Sequence, residues 1–214
     1  GYSDKDTIRR WERTLTTDTL NREDECKVIF LGEGGTGKSS LIDRILGKGF
    51  KEGAVPTEGI RICMWETSIK KKPVRLRILD FGGQEIMHSM HRCFLTLHTI
   101  YVVVCASRND GDVDRQAARW LENVKAFAPD CPVILALNKA DKNPHVSVNE
   151  LKLKQTNAML RAVLTTSAKT SAGIFKLISL IRQEIPGCIH RIVETAGALG
   201  IKRELDDMNQ DYIT

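Results

Sequence analysis

The sequence predicts an α/β fold in which a mostly parallel, six-stranded sheet carries helices on both faces. Apolar runs with strand character alternate with segments of helical periodicity along the chain, which is typical of such sheets. Two runs, TIYVVVCAS (99–107) and CPVILALN (131–138), are almost continuously apolar, as expected for central strands that helices cover on both sides. A length of 214 residues suffices for one such domain with additional segments at either end.

The first half of the chain supplies a strand, a helix and a hairpin. The run CKVIFL (26–31) indicates a buried strand, and residues 37–50 have helical periodicity that ends in glycines. Residues 59–69 and 73–81 alternate in polarity around a basic turn, KKKP. That pattern predicts a β-hairpin.

The second half continues the alternation. The strand at 99–107 is followed by a predicted helix at 114–127, where Trp120, Leu121, Val124 and Phe127 form an apolar stripe that we expect to be core. After the strand at 131–138, the remaining predicted elements are a helix at 147–160, a short strand at 162–168 and a helix at 172–185.

Composition argues against several classes of protein. The net charge is only +5, and acidic and basic residues are mixed along the chain, so we expect no nucleic-acid partner. The six cysteines lack CxxC or metal-finger spacing, which favours reduced thiols and a cytoplasmic location. The sequence has no signal peptide, no bilayer-spanning apolar run and no prenylation cysteine. We therefore expect no direct membrane anchor.

The segment GEGGTGKS (32–39) fits the pattern G-x-x-x-x-G-K-[ST] with Gly32, Gly37, Lys38 and Ser39. In this pattern backbone N–H groups surround phosphates, the lysine bridges the outer ones and the hydroxyl binds Mg²⁺. The segment lies between a predicted strand and a predicted helix, whose N-terminal dipole also favours an anion. A phosphate-binding loop is therefore predicted rather than a simple glycine turn.

A second candidate group follows the strand at 73–81, in the run ILDFGGQE. Asp80 can hold Mg²⁺ through a water molecule, Gly83 can donate its N–H to a terminal phosphate, and Gln84 can orient an attacking water. The alternative interpretation of this run is a strand that simply ends in a glycine turn. Because a phosphate-binding loop is predicted earlier in the chain, the interpretation as a Mg²⁺ and phosphate site is favoured.

A third group indicates which base is bound. Asp141, in the run LALNKAD, can accept hydrogen bonds from both N1–H and the exocyclic amine of guanine, whereas adenine presents a lone pair at N1. Asn138 would brace neighbouring loops, and the stem of Lys139 would cover the base. In the later run TTSAK, the N–H of Ala168 can donate to the guanine carbonyl.

These motifs, in this order, resemble those of Ras-like P-loop GTPases, with Thr57 in the run AVPTEGI as the switch threonine. The resemblance implies that Gln84, Lys38 and Thr57 are catalytic and that Ser39, Thr57 and Asp80 hold Mg²⁺. The expected contacts to GTP or GDP are Glu33, Gly34, Gly35, Thr36, Gly37, Lys38, Ser39, Ser40, Thr57, Gly83, Asn138, Lys139, Asp141, Ser167, Ala168 and Lys169.

A narrower resemblance is to the Roc domain of Roco proteins. It depends on the tryptophan of GIRICMWETSI and on the pattern D-F-G-G-Q-E-x-x-H-x-x-H-x-x-F, and it covers about residues 24–190. It implies a linker from upstream leucine-rich repeats at 1–23, a GTPase domain at 24–187 and a linker or the start of a COR domain at 188–214. A homodimer is a further implied partner.

The predicted function is a Mg²⁺-dependent signalling switch that binds GTP and hydrolyses it slowly to GDP and phosphate. One alternative is a guanine-nucleotide-binding scaffold or dimerisation module with negligible turnover. Two others are a free-standing membrane-bound Ras-like switch and a P-loop ATPase or nucleotide kinase. Arg92 and Arg108 are local candidates for an arginine that stabilises the transition state, while His88 and His91 are interpreted as packing or switch residues rather than metal ligands.

Overall fold

The structure, a computed structural model, describes residues 21–82, 98–106 and 113–194. Its strands are β1 (Asn21–Leu31), β2 (Ile60–Ile69), β3 (Lys72–Phe81), β4 (Thr99–Ala106), β5 (Val133–Asn138), β6 (Leu160–Thr165) and β7 (His190–Glu194). Its helices are α1 (Lys38–Ile45), α2 (Val113–Phe127), α3 (Glu150–Thr156) and α4 (Ile174–Cys188). One compact unit is formed by Glu25–His190, and a second contains the described residues 21–24 and 191–194.

The sheet has the strand order β2-β3-β1-β4-β5-β6, and β7 pairs with β1 off this path. The five strands from β3 to β6 in that order are parallel, and β2 joins β3 as an antiparallel hairpin. The predicted α/β fold with six strands is therefore confirmed, and β7 is an additional strand that the sequence did not predict. Because the carboxyl ends of parallel strands meet at one edge, the described residues that directly follow β1, β3, β5 and β6 lie there too.

Two hydrophobic layers cover the sheet. On one face α1 packs on β3 and α4 packs on β4, through residues such as Leu41 and Ile181. On the other face α2 packs on β4 and α3 packs on β6, through Leu121 and Leu153. Neighbouring residues of β4 belong to opposite layers, which explains why that strand is buried at every position.

Several boundaries differ from the predicted ones. The helix α1 ends at Ile45, and α3 is limited to seven residues because Asn149 caps its start by accepting a hydrogen bond from the Lys152 N–H at 3.0 Å. The helix α4 continues through Pro186 to Cys188, which is buried. The prediction that Phe127 is core is wrong, since 40% of it is exposed at the end of α2.

The cysteines in the described part of the chain are all free, and Cys93 lies outside it. None of the helices described here is both long enough and apolar enough to cross a membrane.

Candidate functional site

The glycine loop, residues 32–37, joins β1 to α1 and folds around a buried lysine. Gly32, Gly35 and Gly37 have positive φ angles of 148°, 74° and 91°, a region that favours glycine. Lys38 is only 5% exposed, and its Nζ donates hydrogen bonds to the carbonyls of Gly32 at 2.9 Å and Glu33 at 3.0 Å. Burial lowers the pKa of Lys38, while the negative charges of Asp80 and Glu33 oppose that shift.

Two of these glycines are required by their neighbours as well as by their backbone angles. A Cβ atom on Gly37 would lie 2.4 Å from Asn138 Nδ2, and one on Gly32 would lie 2.2 Å from the Val104 carbonyl oxygen. Both distances are far shorter than van der Waals contact. The loop is thus packed closely against β4 and the end of β5.

Beside the loop lies an oxygen cluster formed by Ser39, Thr57 and Asp80. The hydroxyl oxygens of Ser39 and Thr57 are 2.7 Å apart, and Asp80, the next-to-last residue of β3, has no exposed surface. Among the described residues, neither carboxylate oxygen of Asp80 accepts a well-aligned hydrogen bond. Burial raises the pKa of Asp80, and the Ser39 hydroxyl together with the cations Arg61 and Lys38 opposes the rise.

This oxygen cluster fits a hard divalent cation. Mg²⁺ prefers oxygen ligands and keeps several waters, so it needs few protein groups. A buried carboxylate without aligned hydrogen-bond donors and a pair of neighbouring hydroxyls match that preference. No group of three or more His, Cys, Asp or Glu side chains within the described ranges is arranged to hold a metal.

At the other end of the glycine loop, Asn138 connects three segments. It is 1% exposed at the end of β5, its Nδ2 donates to the Thr36 carbonyl at 2.8 Å, and its Oδ1 accepts from Thr166 Oγ1 at 3.3 Å. Lys139, with a φ of 65°, extends over the loop and donates to the Gly35 carbonyl at 2.6 Å. These bonds hold the glycine loop against the ends of β5 and β6.

Asp141 is exposed, and its carboxylate is oriented by a neighbouring hydroxyl. Ser167 Oγ donates to Asp141 Oδ1 at 2.5 Å, and the Ser167 backbone N–H donates to the Ala172 carbonyl at 2.9 Å. Arg44 of α1 donates to the Ala168 carbonyl at 2.7 Å. The loop after β6 is therefore fixed from both sides, and the Asp141 carboxylate has a defined position.

Two cavities lie along this edge of the sheet. The larger, of about 620 Å³, is lined by the glycine loop, the start of α1 and the loop before β2; the smaller, of about 210 Å³, is lined by the segments after β5 and β6. They share Gly37, Ser40, Phe50, Gly53 and Lys139 as lining residues, so they adjoin.

The structure brings together most of the predicted site residues. The large cavity is lined by Gly34, Gly35, Gly37, Lys38, Ser39, Ser40, Thr57 and Lys139, and the small one by Gly37, Ser40, Asn138, Lys139, Asp141, Ala168 and Lys169. Thr36, Asp80 and Ser167 are buried behind these walls, and the Glu33 carboxylate pairs with Arg119 of α2. Gly83, Gln84, His88, His91, Arg92 and Arg108 lie outside the described residues.

The sequence analysis missed several residues at the site, and two of them, Phe50 and Arg61, bear on its chemistry. Phe50 lines both cavities, and Arg61 contacts the oxygen cluster. An aromatic residue among glycines and lysines at the end of the stretch 37–50 was the available signal for Phe50. No motif indicated Arg61, because its position depends on the pairing of β2 with β3.

Comparison with known proteins gives a family and a structural neighbour. The sequence model of the family described as "Ras of Complex, Roc, domain of DAPkinase" matches residues 27–141. A solved structure, Methanosarcina barkeri Roco2 RocCORdC bound to GDP, is similar with a TM-score of 0.75 and 33% sequence identity. The match covers 92% of this chain and 61% of that one. With the glycine loop, the oxygen cluster and the segment around Asp141 arranged as described, the chain belongs to the Roc family, as the Ras-like GTPase domain of a Roco protein.

Proposed function

We propose that this Roc domain binds GDP and GTP together with Mg²⁺ and hydrolyses GTP slowly, as a nucleotide-dependent switch. The observation that carries the proposal is that Lys38 and Asp141 line two adjoining cavities, so that one elongated ligand can reach both. The GDP bound to the Roco2 RocCORdC neighbour supports the same ligand class.

The phosphates would bind in the large cavity. The N–H groups of the glycine loop and the first turn of α1 form an anion site, and the N-terminal end of the helix dipole adds to it. Lys38 adds a positive charge that the protein already holds in a buried position, so little reorganisation accompanies binding.

The guanine base would bind in the small cavity. The Asp141 carboxylate accepts the two neighbouring donors of guanine, and Ser167 fixes its orientation. Phe50 and the stem of Lys139 offer apolar surfaces for the faces of a planar base. Adenine would place an acceptor against the carboxylate and leave that charge unpaired.

Mg²⁺ would be held by the hydroxyls of Ser39 and Thr57, and by Asp80 through a water. When bound, the metal neutralises charge on the phosphates and on the transferring phosphoryl group. Asp80 contributes a carboxylate that stays in place because it is part of β3 and is completely buried. Thr57 lies in the long loop before β2, so we infer that this loop closes when a γ-phosphate is present.

Hydrolysis would depend on positioning and electrostatics rather than on a strong base. We propose that Gln84 orients the attacking water and that Gly83 donates its N–H to the γ-phosphate. The loops around Thr57 and residues 80–92 would order on GTP and relax after hydrolysis.

Nucleotide affinity tests the base site. We expect wild-type protein to bind GDP much more tightly than ADP by isothermal titration calorimetry, and Asp141→Asn to weaken GDP binding about a hundredfold. Asp130→Asn removes the same charge from an exposed position in the loop before β5, and it should leave the affinity unchanged. Tight ADP binding would contradict the proposal.

Turnover tests the switch against the scaffold alternative. We expect single-turnover hydrolysis of GTP by the wild type and a rate at least about tenfold lower for Gln84→Leu, which cannot orient water. If wild type and Gln84→Leu both bind GTP but hydrolyse it at equal, near-zero rates, the result would instead support a scaffold role.

The larger protein extends the proposal. The chain spans 61% of the RocCORdC neighbour, and we infer that residues 188–214 lead into a COR-like domain and 1–23 come from leucine-rich repeats. A homodimer and a cytoplasmic location are part of this inference. Mass measurement of a protein that includes both flanking regions, in its GDP and GTP-analogue states, would test the dimer.

A further inference from the structure

Arg61 places a cation beside the oxygen cluster from the edge of the sheet. It is the second residue of β2, and its Cα pairs with that of Asp80 in the antiparallel register with β3. Its side chain is 34% exposed, whereas that of Asp80 has no exposed surface. A side chain that is partly in solvent therefore reaches a buried carboxylate.

The guanidinium group of Arg61 bridges α1 and β3. Its Nη1 donates to Asp43 Oδ1 at 3.0 Å, and its Nη2 donates to the Ser39 carbonyl at 3.3 Å. The same Nη2 lies 3.2 Å from Asp80 Oδ2, at ion-pair distance. Its Nε is buried without an aligned acceptor among the described residues, so the fork is not paired in the two-bond geometry that would lock it onto Asp80.

The contact between Arg61 and Asp80 affects the charge that a metal ion would meet at the oxygen cluster. A buried carboxylate is costly unless a cation compensates it, and an arginine is always charged. Arg61 and Lys38 are cations that act on Asp80 in the described part of the chain. A divalent ion at the oxygen cluster would use the same carboxylate, and like charges at such short range repel each other.

We propose that Arg61 is an internal counter-cation of the metal site: it compensates Asp80 when Mg²⁺ is absent and competes with Mg²⁺ when it is present. Asp43, on the exposed side of α1, gives the guanidinium a second partner when it leaves Asp80. Arg61 is thus a positioning residue that slows the loss of nucleotide when Mg²⁺ is absent and raises the Mg²⁺ concentration that the site needs. The inference rests on the proposed function, since it concerns the same nucleotide site.

The test compares wild type with Arg61→Gln in the binding of fluorescently labelled GDP. We expect the variant to need about tenfold less Mg²⁺ for half-maximal retention of GDP, because a repelling charge has been removed. In excess EDTA we expect the opposite effect, with GDP dissociating about tenfold faster, because Asp80 has then lost one of its two compensating cations and its charge repels the phosphates more strongly. General damage to the site would weaken binding in both conditions.

Two further variants serve as controls. Arg182→Gln makes the same charge change in α4, where Arg182 contacts Thr67 and Trp65 at the distal part of β2, and it should leave both measurements at wild-type values. Arg61→Lys keeps the positive charge with a shorter reach, so its Mg²⁺ requirement should lie nearer to wild type than that of Arg61→Gln. Thermal unfolding of each variant in EDTA checks that the domain is folded.

The outcomes separate the two proposals. If wild type binds GDP, and folded Arg61→Gln shows a wild-type Mg²⁺ requirement and a wild-type rate of GDP dissociation in EDTA, the counter-cation role is wrong while the proposed function stands. If wild type fails to bind GDP with or without Mg²⁺, both are wrong.

Discussion

Single polar side chains fix the relative positions of the loops around the nucleotide site. Asn138 bonds to the glycine loop through Thr36 and to the loop after β6 through Thr166, and it is almost completely buried. A buried amide that lost one partner would leave polar groups unsatisfied, which costs about 1–3 kcal/mol. The arrangement therefore depends on close contact, and the glycine opposite Asn138 makes that contact possible.

Substitution of Gly37, the glycine opposite Asn138, should separate the effect of a steric clash from the effect of backbone strain. In Gly37→Ala the new Cβ would lie 2.4 Å from Asn138 Nδ2 at a φ of 91°, so we expect loss of GDP binding together with lower stability in urea unfolding. Gly47→Ala is the matched control, because its φ is 74° and nothing lies within 4 Å of the new atom. Gly47→Ala should lower the free energy of unfolding only by the backbone strain, about 1–2 kcal/mol, and should leave GDP affinity unchanged. Equal losses of stability and GDP binding in both variants would contradict the close packing.

At the scale of elements, α2 shows how burial varies along one helix. Trp120, Leu121 and Val124 are fully buried against the sheet, whereas Phe127 in the last turn is 40% exposed. The sequence stripe places all four on one face, but the burial of that face is incomplete at Phe127. Helical periodicity therefore predicts which face is apolar and not how fully each residue on it is buried.

Truncation at the two ends of this stripe should give unequal losses. Trp120→Ala removes a large side chain that is 1% exposed, and we expect it to lower the free energy of unfolding by about 3–5 kcal/mol. Phe127→Ala should cost well under half as much, since part of the ring already contacts water. Chemical denaturation measures both, and similar losses would show that Phe127 is packed more tightly than described.

For the molecule as a whole, stability is shared between the two layers that sandwich the sheet, and each contains a buried thiol. Burial raises the pKa of Cys26, in the layer with α1 and α4, to about 12, and that of Cys105, in the layer with α2 and α3, also to about 12. Both thiols ordinarily ionise near 9.0. The folded state therefore retains protons that the unfolded chain releases.

This difference makes stability fall in alkaline solution. Since the folded pKa is the higher one, the contribution is complete below pH 9 and is lost as the pH rises from 9 towards 12. We expect the free energy of unfolding to fall by about 1 kcal/mol per thiol between pH 9 and pH 10. A Cys26→Ala/Cys105→Ala variant should be less stable than wild type at pH 7. Its free energy of unfolding should nevertheless fall less than that of wild type between pH 7 and pH 10. Parallel slopes for the two proteins would show that the thiols do not contribute.

Local patterns in the sequence determined the α/β alternation, the glycine loop, and the segments that contain Asp80 and Asp141, because each depends on residues close together in the chain. Only the tertiary structure decided which distant residues meet: the pairing of β2 with β3 that brings Arg61 to Asp80, the bond from Ser167 to Asp141, the position of Phe50 between two cavities and the addition of β7 to the sheet. These contacts depend on strand register and on the convergence of loops at one edge of the sheet. No short-range periodicity encodes either of them.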